Sequence, residues 1–351
     1  MEIGSEFCEF DGKLNCNNGD FWKFGKDNKF TVSGRTAIYY ILEEIQKSNL
    51  IKKAYLPSYI CNSMIQPFLD FGIEVDFYDV YYNNGIKYNI DYDTDCDIFF
   101  AMNYFGYSET NMEKYTKYFK QKGAVILEDI THSILTQKKY SQYSDYLIGS
   151  LRKWFPIANG GIAVNVNSKF NINLNYNLKH PKTEIKYKAM SLKKRYLESF
   201  NSELKKQYLQ DYSEYNSSLN LDYKNYPIDE KSYDIIMKID IEEIKNKRKE
   251  NTKIIYEKLK GNLNIKFIEN YDEKDCLLFV PIILEKNLRD NLRKFLVEKE
   301  VYLPIHWPLE EKLNNIFDQE LSLVCDQRYT TKEISDYLDL IINYIGDRNE
   351  K

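Results

Sequence analysis

The sequence is 351 residues long, with 43% hydrophobic and 29% charged residues and a formal net charge of −4. A chain of this length exceeds one average domain and can bury roughly three quarters of its unfolded surface. Lysine and glutamate are mixed along the chain, so no basic region predicts a nucleic-acid partner. No apolar run approaches the ~20 residues of a membrane span, and residues 1–6 lack signal-peptide features, which predicts a cytoplasmic protein.

The six cysteines are scattered along the chain. They form no C-x-x-C pair and lie near no histidine. Neither a zinc site nor a disulfide framework is therefore predicted, and no metal ligands are assigned.

The first 32 residues carry many aromatic side chains without a clear period and are predicted to form an arm leading into the fold. Residues 33–36 then open a helix whose apolar residues recur at helical spacing, with Ser33 or Thr36 as its N-cap. Free amide groups and the helix dipole attract anions at such a start, and Gly34 allows close approach. This helix start is a candidate phosphate site.

Helical and strand patterns alternate between residues 33 and 165, which predicts β-α units around a mostly parallel sheet. Ligands bind such sheets at the carboxyl ends of the strands. Four predicted strand ends carry polar or aromatic groups: residues 57–59, residues 103–106, Asp129 and Ser150. The alternation therefore predicts one pocket at that edge.

After residue 166 the segments become long and polar. Residues 182–209 are predicted to be helical, and their basic run at 193–195 is interpreted as a solvated helix face, with a phosphate-bearing substrate or a partner subunit as alternatives. Residues 211–230 are predicted to form an irregular crossover. The remaining pattern predicts a smaller α+β domain, with helices at 233–259, 287–299 and 335–345 and strands at 265–268, 277–283 and 301–304. The expected division is an arm at 1–32, a large domain at 33–230 and a small domain at 231–351.

Several motifs occur together in a recognisable order. An S-G-x-T-A sequence at 33–37 is followed by a proline turn after the next strand, N-Y-x-G at 103–106, E-D with a hydrogen-bonding residue three positions after the aspartate, and Lys153 with glycines seven and eight positions later. Over roughly residues 30 to 310 this order resembles the DegT/StrS-type sugar aminotransferases. That resemblance implies a fold type I enzyme with pyridoxal 5′-phosphate (PLP) as its cofactor. The implied architecture is a large domain, with a mostly parallel sheet between helices, and a small C-terminal α+β domain.

The resemblance also implies roles for two charged residues. Lys153 would bond covalently to PLP and move a proton during transfer, and Asp129 would pair with the protonated ring nitrogen. Without the resemblance, Lys153 would more often be a surface residue, because it follows a strand, and Asp129 could be a helix N-cap.

Other cofactor contacts follow from the same resemblance. His132 stands where the family has a glutamine touching the 3′ oxygen, although a structural histidine is the alternative. The phosphate would be held by Ser150 with Gly34, Arg35 and Thr36. Since the family commonly places its serine five residues before the lysine rather than three, Arg152 or Arg35 is an alternative source of charge.

The substrate side departs further from the family pattern. Tyr59 or Cys61 would cover the cofactor ring, and Asn103 replaces a frequent histidine. Residues 303–308, with His306, resemble a substrate-contacting segment, and an aromatic turn in the core is the alternative. A G-x-N-x-R segment that the family donates across its dimer is not found, and residues 215–216 are the nearest candidate.

The leading hypothesis is therefore an aminotransferase that passes an amino group from an amino acid, with glutamate expected, to a keto group of a nucleotide-linked sugar in glycan biosynthesis. A PLP enzyme acting on a non-sugar substrate by transamination, elimination or decarboxylation is the second hypothesis. A non-catalytic binding or regulatory relative is the third. The family implies a homodimer.

Overall fold

The computed structural model describes residues 2–48, 50–108, 112–137, 140–307 and 318–349. The helices are α1 Gly34–Ser48, α2 Asn62–Asp70, α3 Met112–Gln121, α4 Thr183–Ser199, α5 Ser202–Leu221, α6 Glu230–Lys238, α7 Ile241–Leu259, α8 Lys286–Glu298 and α9 Thr331–Asn349, with a short 3-10 helix at Leu151–Lys153. The strands are β1 Ile3–Gly4, β2 Asp27–Thr31, β3 Lys53–Pro57, β4 Glu74–Tyr82, β5 Ile86–Asn89, β6 Ile98–Met102, β7 Val125–Asp129, β8 Tyr146–Ser150, β9 Gly161–Asn165, β10 Lys266–Phe267, β11 Val280–Ile283, β12 Val301–Tyr302 and β13 Glu320–Leu323.

An eight-stranded sheet forms the centre of the molecule, in the order β2-β9-β8-β7-β6-β3-β4-β5. The run from β8 through β7, β6 and β3 to β4 is parallel, whereas β9, β2 and β5 pair antiparallel at the two ends. Every residue of β6 and β9 is buried, as expected for strands that are covered on both faces of the sheet. The predicted fold class, a mostly parallel sheet flanked by helices, is confirmed.

Two smaller pairings connect the later part of the chain. Strands β10, β11 and β13 form an antiparallel sheet, and β1 pairs in parallel with β12. The β1 pairing attaches the N-terminal arm to residues 301–302, close to the segment predicted to contact substrate. The boundary between residues 230 and 231 stays a prediction.

The helical part between residues 182 and 259 differs from its prediction. The predicted irregular crossover at 211–230 is wrong for residues 211–221, because α5 continues to Leu221, whereas residues 222–229 form the irregular connection to α6. The predicted helix at 182–209 breaks at Phe200, which adopts a left-handed conformation with φ of 52°. The predicted helix at 233–259 also breaks, and Asp240 caps α7 by accepting a hydrogen bond from the Glu243 amide.

The basic run at 193–195 is not a uniformly solvated face. Lys193 is buried and pairs with the buried Glu2 at 3.1 Å, while Arg195 is exposed. The solvated interpretation is therefore wrong for Lys193, because packing of the N-terminal arm covers this part of α4. Among the described residues, no helix combines the length and apolarity needed to cross a bilayer.

The adjacent acids at the end of β7 point to opposite faces of the sheet, as consecutive strand residues do. Glu128 is 2% exposed, and its Oε2 accepts hydrogen bonds from the Ser141 amide at 2.8 Å and the Ser144 hydroxyl at 2.6 Å. Burial raises the pKa of Glu128 to about 7, although both hydrogen bonds oppose the shift. Glu128 is therefore a structural carboxyl separate from Asp129.

We predict that Glu128→Gln stabilises the protein at high pH. A carboxyl group whose pKa is higher in the folded than in the unfolded protein favours folding at pH values below its unfolded pKa. This stabilisation is lost as the pH rises through its folded pKa. Glutamine keeps an acceptor oxygen without the charge, and a change from 4.5 to about 7 corresponds to a gain of at most about 3 kcal/mol above pH 7. Urea denaturation at several pH values will measure this gain, which we expect to vanish below about pH 4.5.

The matched control is Glu198→Gln, because Glu198 is exposed on α4 and undergoes the same change in charge. We expect its effect to stay within about 0.5 kcal/mol at every pH. Equal pH profiles for the two variants would contradict the assignment of Glu128 as a buried, proton-binding group.

Candidate active site

The parallel register brings four predicted strand ends to one edge of the sheet. Met102 at the end of β6 pairs with Asp129 at the end of β7, and Asp129 pairs with Ile148 of β8. Residues 58–59 follow β3, which lies on the other side of β6. The structure therefore brings together the segments that the sequence placed in one pocket.

Thr131 ties the loop after β7 to the loop after β8. Its amide donates to Asp129 Oδ1 at 2.6 Å, its hydroxyl accepts from the Ser150 amide at 3.0 Å, and its carbonyl accepts from the Trp154 indole at 2.6 Å. Because Thr131 is 3% exposed, water competes little for these bonds. The segment carrying Lys153 is held against the segment carrying Asp129.

Lys153 ends the short 3-10 helix and its side chain is exposed to a cavity of about 500 Å³. This volume is in the range of small-molecule sites, about 300–1,000 Å³. Ser150 and His306 line the same cavity. The wall of the cavity contains six basic side chains and two acidic ones. The basic residues are Arg152, Lys153, Lys186, Arg248, Arg293 and Arg328, and the acidic residues are Glu6 and Asp326.

Asp129 is a buried carboxyl near Lys153. Burial raises its pKa, while the Thr131 hydrogen bond and the charge of Lys153 act in the opposite direction. No ion pair of Asp129 is found within the described ranges. A cationic ring nitrogen bound here would supply the charge that the carboxylate form needs.

His132 offers a hydrogen-bond donor inside the same site. Its Nδ1 accepts from the Phe105 amide at 2.9 Å, so the neutral imidazole carries its proton on Nε2. Burial and the charge of Lys153 lower the pKa of His132 well below its ordinary value, which keeps the ring neutral. Nε2 is buried without a hydrogen-bond partner in the part of the chain that is described. The position fits an acceptor oxygen such as the 3′ oxygen of PLP.

The start of α1 lies against Ser150. A Cβ atom added to Gly34 would come 3.3 Å from the Ser150 Cβ, so this glycine permits the close approach. The side chains of Arg35 and Thr36 are engaged elsewhere: Arg35 donates to the Leu219 carbonyl at 3.1 Å, and Thr36 donates to the Tyr223 carbonyl at 2.7 Å. The backbone amides of this helix start and the Ser150 side chain are therefore the better candidates for holding a phosphate.

Tyr59, one of the two residues predicted to cover the ring of PLP, lies in an aromatic cluster with Trp307. Tyr59 is fully buried, stacks on Tyr104 at 5.4 Å between centroids and meets Trp307 edge-on at 4.8 Å. Trp307 also stacks on His132 at 5.5 Å, and Lys153 Nζ lies 5.9 Å from its ring centroid. Cys61, by contrast, precedes α2, and its Sγ lies 3.0 Å from the Ser63 hydroxyl. Of the two residues predicted to cover the PLP ring, Tyr59 belongs to this aromatic cluster.

Three buried polar atoms at these strand ends lack hydrogen-bond partners among the described residues: Tyr59 Oη, Asn103 Oδ1 and His132 Nε2. Asn103 Nδ2 is already used, because it donates to the Tyr107 carbonyl at 3.1 Å. Buried polar groups without partners are costly, so Nε2 of His132, a residue whose pKa is lowered by burial and by the charge of Lys153, indicates a polar ligand near that lysine. Asn103 instead lines a separate small cavity with Glu128, and Tyr59 lies near Glu320 and Arg289. The residues present fit PLP.

His306 is oriented by two residues that sequence reasoning missed. The Ser322 hydroxyl donates to Glu320 Oε1 at 2.5 Å and lies 3.0 Å from His306 Nδ1. Since a hydroxyl has one proton, Ser322 accepts from Nδ1–H, and Nε2 is the ring nitrogen left for a ligand. The E-x-S spacing of β13, which places both side chains on one strand face, is the signal that could have found this pair.

The sequence matches no protein-family model and no curated protein sequence. Its fold is similar to solved structures over nearly the whole chain. TlmJ, an aminotransferase from Streptoalloteichus hindustanus, superposes with a TM-score of 0.69 at 11% identity, covering 99% of this chain and 100% of that one.

Two further structures share the fold. Helicobacter pylori PseC, an aminotransferase involved in the biosynthesis of pseudoaminic acid, has a TM-score of 0.68 at 12% identity and covers 99% of this chain and 100% of its own. DesI, solved in the presence of its TDP-sugar product, has a TM-score of 0.61 at 13% identity and covers 98% of this chain and 89% of its own. The chain therefore has the fold type I architecture of these aminotransferases.

Proposed function

We propose that this protein is a PLP-dependent aminotransferase that transfers an amino group from an amino acid to a keto group of a nucleotide-linked sugar. The observation that carries the proposal is that Lys153, which lines the cavity, lies near the buried carboxyl of Asp129 and near the buried His132, whose Nε2–H has no partner among the described residues. A lysine, a buried acid and a buried neutral donor are the groups that a PLP site requires.

Each group would have a separate task. Asp129 would keep the ring nitrogen protonated, His132 would donate to the 3′ oxygen, and Ser150 with the first amides of α1 would hold the phosphate. When bound, PLP supplies an electron sink that stabilises negative charge on the substrate carbon. Lys153 would hold the cofactor covalently and carry a proton to and from the reacting carbon.

The acceptor class is inferred from the motif order, the shared fold and the charge of the cavity wall. The motif order resembles sugar aminotransferases, and DesI, which shares the fold, was solved with its TDP-sugar product. The excess of basic side chains around the cavity suits an acceptor with phosphate groups. With His306 Nε2 available to hydrogen-bond a sugar hydroxyl, these features favour a nucleotide sugar over an uncharged keto compound. Glutamate is the expected amino donor, and glycan biosynthesis the expected pathway.

We also infer a homodimer. The family resemblance supports it, because those enzymes complete each site with residues from a neighbouring subunit. Asn216, the nearest candidate for the cross-dimer asparagine, instead lines the cavity of its own chain. Light scattering of dilute protein will give the mass, and a fully active monomer would overturn the inference.

We predict that the purified protein absorbs as a lysine-bound PLP enzyme and that glutamate bleaches this absorbance. Lys153→Ala removes the covalent bond, so the chromophore and amino transfer both fall to background. Lys169→Ala is the control, because Lys169 is an exposed lysine after β9. A wild-type protein that never takes up PLP would sink the proposal. If the chromophore forms but no keto-sugar nucleotide reacts, the non-sugar alternative stands.

The donor assigned to His132 makes a second prediction. His132→Leu removes the Nε2–H and weakens PLP binding by about tenfold or more, as expected for a lost hydrogen bond to a charged group. His132→Gln restores it, because the amide oxygen can accept from Phe105 while the amide nitrogen donates. Absorbance titration will give the dissociation constants, and thermal denaturation will separate binding from folding. Equal affinities in all three proteins would refute the role.

A further inference from the structure

The N-terminal arm forms one wall of the cavity that contains Lys153. Residues 4–7 line it, and β1 attaches the arm to β12. Arg328 donates to the carbonyls of Ser5 and Glu6, both at 3.2 Å, and Tyr212 donates to the Phe7 carbonyl at 2.7 Å. The arm is also fixed by the buried Glu2, which pairs with Lys193 and Lys205, and by Lys193 donating to the Ser5 hydroxyl and the Glu6 carbonyl. The backbone of the wall is therefore firmly held, and the half-exposed Glu6 side chain is the part that a ligand can displace.

Glu6 points into a group of cations and donors on this wall. Its carboxylate pairs with the Lys186 ammonium and accepts from Asn216 Nδ2 at 2.9 Å. The Lys186 side chain is 3% exposed, whereas that of Glu6 is 41% exposed. The cation belongs to the protein interior, while its anionic partner lies on the accessible side.

Lys186 needs an anion because it is buried. Burial lowers its pKa to about 8, and the charge of Glu6 opposes that shift. Its ammonium also lies 4.3 Å from the Tyr212 ring centroid and 5.3 Å from that of Tyr215. These rings stabilise a cation but provide no formal negative charge. Within the described residues, Glu6 is the acidic group paired with it.

Arg152 adds a second cation to the same place. Its guanidinium lies 5.8 Å from the Tyr215 ring centroid, and its Nε is buried without a hydrogen-bond partner in the described part of the chain. Against the effect of burial, Lys186 and Arg152 both hold the pKa of Glu6 below its ordinary value. Two cations and an amide donor therefore surround a position that one carboxylate occupies.

We propose that Arg152, Lys186 and Asn216 form an anion subsite of the cavity, which takes the carboxylate or phosphate group of a small ligand, and that the Glu6 carboxylate fills it until the ligand displaces this side chain. This inference rests on the proposed function only for the source of the anion, which is the carboxylate of an amino donor or the phosphate of a nucleotide. The presence of an anion subsite follows from the positions of Arg152, Lys186, Asn216 and Glu6.

The test compares anion binding by the wild-type protein and Glu6→Gln. Isothermal titration of the full chain with glutarate, and separately with inorganic phosphate, gives dissociation constants in a phosphate-free buffer. Glutamine keeps the hydrogen bond from Asn216 but leaves Lys186 unpaired, so the ligand no longer competes with a carboxylate. We expect tighter binding by on the order of tenfold, the scale of typical couplings between two binding events. The anion that gains affinity identifies the ligand group.

Two further variants separate the subsite from general charge effects. Glu9→Gln removes the same charge from the same arm, but Glu9 pairs with Lys231 at 3.1 Å outside this cavity, so its anion affinity should equal that of the wild type. Adding Lys186→Met to Glu6→Gln should abolish the gain. The proposal is overturned if Glu6→Gln binds neither anion more tightly than Glu9→Gln, or if the double variant keeps the gain.

Thermal denaturation of each variant will show whether it is folded, and the titrations need no PLP. A wild-type protein without the PLP chromophore would therefore sink the proposed function while leaving the anion subsite testable. Conversely, unchanged anion binding in Glu6→Gln would overturn the subsite and leave the aminotransferase proposal intact.

Discussion

The site depends on the hydrogen bonds of Thr131. Parallel pairing places the ends of β7 and β8 side by side, but the loops that follow could still diverge. Thr131 prevents this with one bond back to Asp129 and two across to Ser150 and Trp154. Arg248 of α7 packs over Trp154 at 4.5 Å, which connects the same junction to the later part of the chain. One buried polar residue thus fixes the acid relative to the lysine.

Around this junction the fold orients two histidines through their Nδ1 atoms. Nδ1 of His132 accepts from the Phe105 amide and leaves Nε2–H as a donor, whereas Nδ1–H of His306 donates to Ser322 and leaves Nε2 for a ligand. The rings lie 5.8 Å apart between centroids. The surrounding backbone and side chains, rather than the histidines themselves, therefore decide which nitrogen can contact a ligand.

Charge balance connects the cavity to the N-terminal arm. A wall with six basic side chains and two acidic ones is suited to anionic ligands, and a buried ammonium such as Lys186 is stable only beside an anion. The arm supplies that anion from residues more than 150 positions away in the chain. Its closeness to β12 also means that the arm and the segment bearing His306 and Trp307 meet at the same cavity.

The sequence alone determined the alternating helices and strands, the parallel sheet and the strand ends carrying Asp129, Ser150 and Lys153, because these depend on local periodicity and the geometry of parallel strands. It could not predict that α5 extends through residues 211–221, since its polar residues there become helical through packing. Tertiary structure alone decided that Arg35 turns towards α5, that Trp307 stacks on His132, and that Glu6 meets Lys186. Each depends on contacts between distant segments, which no local pattern records.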